Sequence, residues 1–337
     1  MGGNEVHSGP ICVNDRGETM VTAAEKKIKR TSDGRRVLSF NMALKRFWVL
    51  YIILFVIMAY YCLFHYYTIF LGIQMATRSV KLGFSISESP FVGLGNFARI
   101  FKSKDVYSTI INTLRLSVSR LVWTFWPPIV LAIMLFDLTS RTYKRVCQTL
   151  VYIPHFFSWV VVYGIVYAVF SSDGFVNVVL NNLGMEKVNF LTAPSRFVSM
   201  LVGSQIWKGV GWGTILYFAA LTNVNPELYE ACKIDGAGPL RRTLVVTLPE
   251  MLPVVSFSLI MSLANILNND FEQVLLYYNP SVYSVGDIID TWVYREGLLN
   301  YQYSLGAAVS LMKAFVSMVL VIGGNYLSRK ISGRGMW

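Results

Sequence analysis

The segment from Asn225 to Pro249 reads NPELYEACKIDGAGPLRRTLVVTLP and separates two long apolar runs of the chain. Its first residues have the pattern of a short helix: Asn225 is a good N-cap, and Pro226 suits the first helical position because its φ is preset. Two faces follow at helical spacing, an apolar one (Leu228, Ala231, Cys232) and a polar one (Glu227, Glu230, Lys233). Gly236 favours the left-handed turn that ends a helix. The segment therefore predicts a short amphipathic helix with a defined beginning and end.

The apolar runs on either side make this a membrane composition. Of the 337 residues, 54% are hydrophobic and only 15% are charged, against about 25% charged in soluble domains. The mean hydropathy of +0.48 favours several bilayer crossings and excludes disordered and fibrous classes. The net charge of +11 falls mostly between the apolar runs, so it indicates orientation in the membrane and not nucleic-acid binding. The four cysteines show no metal or redox spacing.

Six apolar runs are long enough to cross a bilayer. The predicted spans are Phe47–Thr77, Val106–Phe136, Val146–Phe170, Phe197–Leu221, Met251–Leu275 and Tyr303–Leu327. Roughly twice as many Lys and Arg residues fall on the side of the termini, which predicts that both termini are cytoplasmic. Residues 1–45 then form a basic, disordered cytoplasmic tail, residues 46–331 the six-span domain, and residues 332–337 a short cytoplasmic C-terminus.

The 225–249 segment resembles the EAA loop of permease subunits of binding-protein-dependent ABC importers. The matching residues are Glu230, Ala231, Asp235, Gly236 and Ala237, with Leu248 and Pro249 in register. The resemblance implies that this coupling loop carries a coupling helix that sits in a groove of an ATPase subunit, with Glu230 and Asp235 as its polar contacts. The sequence departs from the pattern at Cys232, where Ala is usual, and at Thr243, where an aromatic residue is common.

The resemblance extends from about residue 46 to residue 330. Stretches such as WKGVGWGTILYFAAL (207–221) and NNDFEQVLLYYNP (268–280) are similar to maltose-type oligosaccharide permeases, above all to the polysaccharide and lipoprotein-linked branch of Gram-positive bacteria. This implies an all-α type I ABC importer permease fold in the plasma membrane. The implied partners are a second homologous permease, two cytoplasmic ATPases that hold the ATP and Mg, and an extracellular lipid-anchored binding protein facing residues 78–104 and 279–301. The chain itself is expected to bind no cofactor.

Two of the predicted spans carry candidate sugar-binding residues, because sugars need aromatic faces and amide groups that line a cavity. Matching positions in maltose-type members give Gly209, Trp212, Asn265 and Asn269, with Asn268 as the alternative in an ambiguous register. Another interpretation stays open for all five, since glycine and tryptophan also serve helix packing and asparagine also joins neighbouring helices.

Catalytic and nucleotide-binding motifs are missing from the sequence. It has no G-x-x-x-x-G-K-[ST] phosphate loop, no HExxH and no GxSxG, so we expect a transport subunit and not an enzyme. A self-sufficient secondary transporter or channel is the alternative, because six spans and intramembrane charges could serve either. That alternative gives the 225–249 segment no role.

Overall fold

The structure is a computed structural model that describes residues 29–30, 36–37 and 45–332. Two short strands, Lys29–Arg30 and Arg36–Val37, pair antiparallel; the rest of the predicted tail lies outside the described residues. The helices are α1 Trp48–Thr77, α2 Gly95–Lys102, α3 Lys104–Asp137, α4 Arg141–Tyr152, α5 Trp159–Phe170, α6 Phe175–Asn182, α7 Pro194–Thr222, α8 Pro226–Ile234, α9 Pro239–Ala264, α10 Phe271–Tyr277, α11 Tyr283–Gly286, α12 Ile289–Trp292 and α13 Tyr303–Ser332. The all-α prediction is confirmed.

Among the described residues, five helical stretches are long and apolar enough to cross a membrane: Trp48–Thr77, Lys104–Asp137, Trp159–Asn182, Pro239–Ala264 and Tyr303–Tyr326. The predicted fourth span is present as α7, which has 29 residues. Helix α7 is less apolar than these five stretches because it contains Arg196, Lys208 and four glycines.

The predicted third span, Val146–Phe170, is wrong as one continuous helix. It divides into α4 and α5, joined by a 3₁₀ turn over Ile153–Phe156. Pro154 lacks an N–H and so cannot continue the ladder of helical hydrogen bonds. The ammonium of Lys208 on α7 donates to the carbonyls of His155 and Phe157, both at 2.7 Å. This intramembrane lysine therefore satisfies the backbone that the break exposes.

The predicted fifth span, Met251–Leu275, is shifted. Helix α9 begins at Pro239, passes through a π-helical turn over Thr243–Thr247 and ends at Ala264. Residues 265–270 are not helical. The side-chain amide of Asn265 donates to the Met261 carbonyl at 3.0 Å. It competes there with the backbone N–H of Asn265 itself, which donates to the same carbonyl at 3.2 Å, and so favours the end of the helix.

Helix α1 has a π-helical turn over Cys62–Tyr66, and the side chains from Trp48 to Phe70 are exposed. From Gly72 onward the chain forms one compact unit, in which α3 and α7 make the most extensive helix pairing. Within its described residues the core has three clusters. The first contains Leu116, Val166, Phe197, Leu201, Val274, Tyr277, Val282 and Ile288; the second Ala76, Ile100, Val106, Ile289, Trp292, Ala308 and Val309; the third Phe125, Ile129, Ala132, Tyr217, Leu221 and Met251.

Candidate functional site

A cavity of about 410 Å³ lies between α3, α7 and α9. Its lining combines apolar surface with hydroxyl and amide groups: Thr124, Phe125, Pro128, Gln205, Ile206, Gly209, Val210, Trp212, Gly213, Leu216, Tyr217, Ser258 and Ser262. The Tyr217 hydroxyl donates to Ser258 Oγ at 2.7 Å, and Ser262 Oγ donates to the Ser258 carbonyl at 2.9 Å. A polar solute of sugar size would find both stacking surface and hydrogen-bonding groups here.

Three glycines of α7 have different surroundings. A Cβ placed on Gly209 meets nothing within 4 Å, whereas a Cβ on Gly211 would lie 1.9 Å from the Val151 carbonyl oxygen. A Cβ on Gly213 would lie 3.0 Å from Pro128 Cγ. Gly211 and Gly213 therefore allow close helix packing, while Gly209 leaves open space in the cavity wall.

The indole of Trp212 stands between the cavity and the break of the third span. It stacks on the His155 imidazole with ring centroids 4.4 Å apart and planes 4° apart, and Phe156 meets it edge-on at 6.1 Å. This contact fixes the indole plane, although the residue is still 51% exposed. A fixed, accessible aromatic face is what stacking on a sugar ring requires.

The structure separates the predicted asparagines from Gly209 and Trp212. Asn265 and Asn268 are exposed in the non-helical segment after α9. Asn269 is fully buried and donates to Ser117 Oγ at 2.9 Å. None of the three lines the cavity, because the predicted helix ends before them.

The polar residues that line the cavity were not predicted from the sequence. Gln205 lies one turn before Gly209 on α7, Thr124 lies on α3, and Ser258 and Ser262 lie one turn apart on α9. The spacing of the two serines was a readable signal, because residues four apart share a helix face. Among the described residues, no group of three or more His, Cys, Asp or Glu side chains could hold a metal ion.

The 225–249 segment forms the short helix that its sequence predicts. The Asn225 side chain accepts from the Glu227 N–H at 3.0 Å, helix α8 runs over Pro226–Ile234, and Gly236 has a φ of +73°. Glu230, Ala231, Asp235 and Gly236 are exposed, while Ala237 and Leu248 are half-buried and Pro249 is exposed within α9. Two apolar side chains nearby are also uncovered, Ile234 at 87% and Leu240 at 82% exposure. The segment thus presents both acidic and apolar groups at its surface.

Helix α8 is joined to the end of α3. The Tyr229 ring lies 5.8 Å from the Phe136 ring, and its hydroxyl is 3.4 Å from Thr247 Oγ1. Arg242 forms an ion pair with Asp137 at 2.8 Å and lies over the Tyr229 ring at 5.8 Å. Because α3 also lines the cavity through Thr124, a single helix connects the 225–249 segment with the cavity.

An ion pair and hydrogen bonds stabilise the loop structure over residues 278–296. Asp287 pairs with Arg295 at 2.8 Å and accepts from the Tyr278 hydroxyl at 2.7 Å. Arg295 also donates to the Tyr278 oxygen. Burial and the neighbouring Asp287 carboxylate raise the pKa of Tyr278, so its phenol stays protonated and keeps donating to Asp287.

These features define a polytopic membrane protein with a polar cavity among its helices and a protruding helix tied to the cavity wall. The family described as "Binding-protein-dependent transport system inner membrane component" matches residues 128–334. The chain belongs to this family and is a permease subunit of an ABC importer, as the resemblance predicted.

Similar proteins agree with that assignment. Protein LplB of Bacillus subtilis is 36% identical over 94% of this chain and 100% of its own length. The polygalacturonan/rhamnogalacturonan transport system permease protein YteP of Bacillus subtilis is 38% identical over 82% of this chain and 87% of its own length. A chain of a bacterial alginate ABC transporter, solved in complex with an alginate pentasaccharide-bound periplasmic protein, superposes with a TM-score of 0.80 at 34% identity, covering 87% of this chain and 98% of that one. The predicted type I permease fold is confirmed by this match.

Proposed function

We propose that this permease carries an oligosaccharide through the cavity between α3, α7 and α9. The cavity supplies the chemistry that a sugar requires: the accessible Trp212 face, the hydroxyls of Thr124 and Ser262, and the amide of Gln205. Permeases and a transporter named for oligosaccharides or polysaccharides lie among its relatives, which supports a sugar over other polar solutes. Of the residues predicted from the sequence to bind sugar, Gly209 and Trp212 line the cavity, and we assign them to sugar binding. Sugar binding by Asn265, Asn268 and Asn269 stays a prediction.

The observation that carries the proposal is the continuity of α3. Thr124 lines the cavity, and Asp137 at the end of the same helix pairs with Arg242 beside the coupling helix. The two residues are 13 positions apart, about 20 Å along a helix. A displacement of α8 therefore moves one end of a helix whose middle forms the cavity wall, which is the connection that alternating access needs.

In this proposal the exposed face of α8 enters a groove of an ATPase subunit. Glu230 and Asp235 supply polar contacts, and Ala231, Gly236 and Ala237 allow close approach. Ile234 and Leu240 add apolar contact area. The other partners are a second permease, a second ATPase and a lipid-anchored binding protein that docks on the loop structure around Asp287. Both termini face the cytoplasm together with the 225–249 segment, and the ATP and Mg belong to the ATPases.

The test uses the complete transporter reconstituted in proteoliposomes with its binding protein. Glu230→Lys reverses an exposed charge on the coupling helix, and we expect it to abolish ATP-dependent sugar uptake while the protein still inserts into the membrane. Glu250→Lys reverses another exposed charge just beyond the 225–249 segment and should keep at least half of the uptake.

Full uptake by Glu230→Lys would refute the coupling role of α8. Uptake that persists without any ATPase subunit would instead support the secondary transporter. Equal loss in both variants would show a general effect of charge reversal and would also count against a specific contact at Glu230.

A further inference from the structure

A cluster of buried polar side chains lies beside the part of the cavity formed by Gln205. Arg120 of α3 is only 6% exposed, although it lies near the middle of a helix that crosses the membrane. Its Nη2 donates to Gln273 Oε1, and Gln273 Nε2 donates in turn to the Leu201 carbonyl at 2.8 Å. Asn269, fully buried, borders the same region through its bond to Ser117.

Several atoms of this buried cluster lack hydrogen-bond partners. They are Arg120 Nε and Nη1, which are donors, and Gln205 Oε1 and Asn269 Oδ1, which are acceptors. Unpaired buried polar atoms are costly, and a buried cation with free donors is more so. Native membrane proteins keep such groups for function, which makes this cluster a candidate ligand site.

Two other basic residues inside the long helices contrast with Arg120. The ammonium of Lys208 has two carbonyl oxygens at 2.7 Å, and that of Lys313 has both oxygens of Asp290 at 2.6 and 2.7 Å. These two cations are matched by close partners and serve the fold. Arg120 is not matched in this way, so its charge remains available.

The carboxylate nearest to Arg120 is held loosely. Asp270 Oδ2 lies 4.0 Å from Arg120 Nη1 and 3.5 Å from Gln205 Nε2. Its side chain is 46% exposed, and its backbone has a φ of +43° in the non-helical segment after α9. Because this carboxylate is half exposed and its ion pair with Arg120 is long, Asp270 can leave this position at low cost.

We propose that Arg120 and Gln205 form a carboxylate subsite and that the transported sugar is an acidic oligosaccharide built from uronic acid residues. This inference rests on the proposed function. The free donors of Arg120 suit a carboxylate, while the free acceptor of Gln205, which lines the cavity, suits a sugar hydroxyl, and a uronate carries both groups on one ring. A neutral sugar has no negative charge with which to replace Asp270 beside the guanidinium.

In this arrangement Asp270 occupies the subsite between transport events. Its carboxylate partly neutralises Arg120 when no solute is present, and the carboxylate of the solute displaces it. Asp270 and the solute therefore compete for the same cation, so substitutions of Asp270 and Arg120 should have opposite effects.

The test measures binding directly, without the binding protein, so that the selectivity of that partner does not enter. The purified complex of permeases and ATPases is titrated in detergent with trimers of galacturonate and of mannuronate, and with the carboxyl-reduced, neutral form of each trimer. Quenching of tryptophan fluorescence reports occupancy, since Trp212 lines the cavity. We expect the acidic trimer to bind at least about 10-fold more tightly than its neutral form.

Three variants assign the preference to the subsite. Arg120→Gln should weaken binding of the acidic trimer by about 10- to 100-fold and change the neutral trimer by less than about twofold, whereas Arg120→Lys should recover part of the loss. Asp270→Asn should tighten acidic binding several-fold. Arg115→Gln removes an exposed cation from the same helix and should change neither sugar.

The outcomes separate this inference from the proposed function. Equal affinity for acidic and neutral trimers in the unaltered complex, or an unchanged preference in Arg120→Gln, would overturn the carboxylate subsite and leave sugar transport standing. Tighter binding of a phosphorylated trisaccharide than of either uronate trimer would also overturn it. Failure of the unaltered transporter to take up any trimer in the presence of ATP and its binding protein would count against the proposed function itself.

Discussion

The packing of α7 against α4 is tested by one added methyl group. In Gly211→Ala the new Cβ would lie 1.9 Å from the Val151 carbonyl oxygen and 2.5 Å from the Val151 carbonyl carbon. Both atoms belong to the backbone, which cannot rotate out of the way as a side chain can. The two segments must separate by at least about 1.1 Å, since Cβ contacts below 3.0 Å essentially never occur.

The magnitude follows from two opposing effects. Overpacking of this kind typically costs about 1–3 kcal/mol, and the contact to backbone favours the upper end of that range. Replacing glycine by alanine in a helix recovers up to about 1 kcal/mol. We therefore expect Gly211→Ala to be destabilising by roughly 2 kcal/mol, or about 4–8 °C in the melting temperature at the scale of domains of 150–250 residues.

Gly209→Ala is the matched control, since the same methyl group meets nothing within 4 Å. The assay is thermal unfolding of the purified complex in detergent, followed by sugar uptake in proteoliposomes. Gly209→Ala should keep or slightly raise the melting temperature and reduce uptake, because the methyl group enters the cavity. Equal melting temperatures for the two variants would refute the distinction between a packing glycine and a cavity glycine.

Two further predictions concern charges that connect elements. Lys208→Met leaves the carbonyls of His155 and Phe157 without their donor and should lower the free energy of unfolding by about 2–5 kcal/mol. Lys208→Arg should recover part of this loss. An unchanged melting temperature in Lys208→Met would contradict the prediction. Asp137→Arg should lower sugar uptake per ATP hydrolysed about 2- to 5-fold. The loss of stability should stay below about 1 kcal/mol, because the Asp137–Arg242 pair is partly exposed. The exchanged pair, Asp137→Arg with Arg242→Asp, should restore uptake, and failure to do so would mean that the pair does not transmit movement.

Sequence alone predicted the local features well. The N-cap at Asn225, the helix that follows and the turn at Gly236 are confirmed, because capping and left-handed glycine geometry depend on residues only a few positions apart. The long apolar runs predicted the membrane helices, because hydrophobicity over a run of about 20 residues is also a local property of the sequence. The helix boundaries at Pro154 and Asn265 were missed, because an apolar run shows hydrophobicity and not whether the backbone is continuous.

What only the tertiary structure decided is which polar groups meet. Residue type and local composition do not distinguish Gly209 from Gly211, yet one faces open space and the other lies against the Val151 backbone. Arg120 and Gln273 are 153 positions apart, and their bond exists because α3, α7 and α10 pack together. The sequence by itself thus determined the membrane helices and the coupling helix, which follow from local composition and capping, whereas the cavity and the buried Arg120 beside it depend on the packing of distant helices.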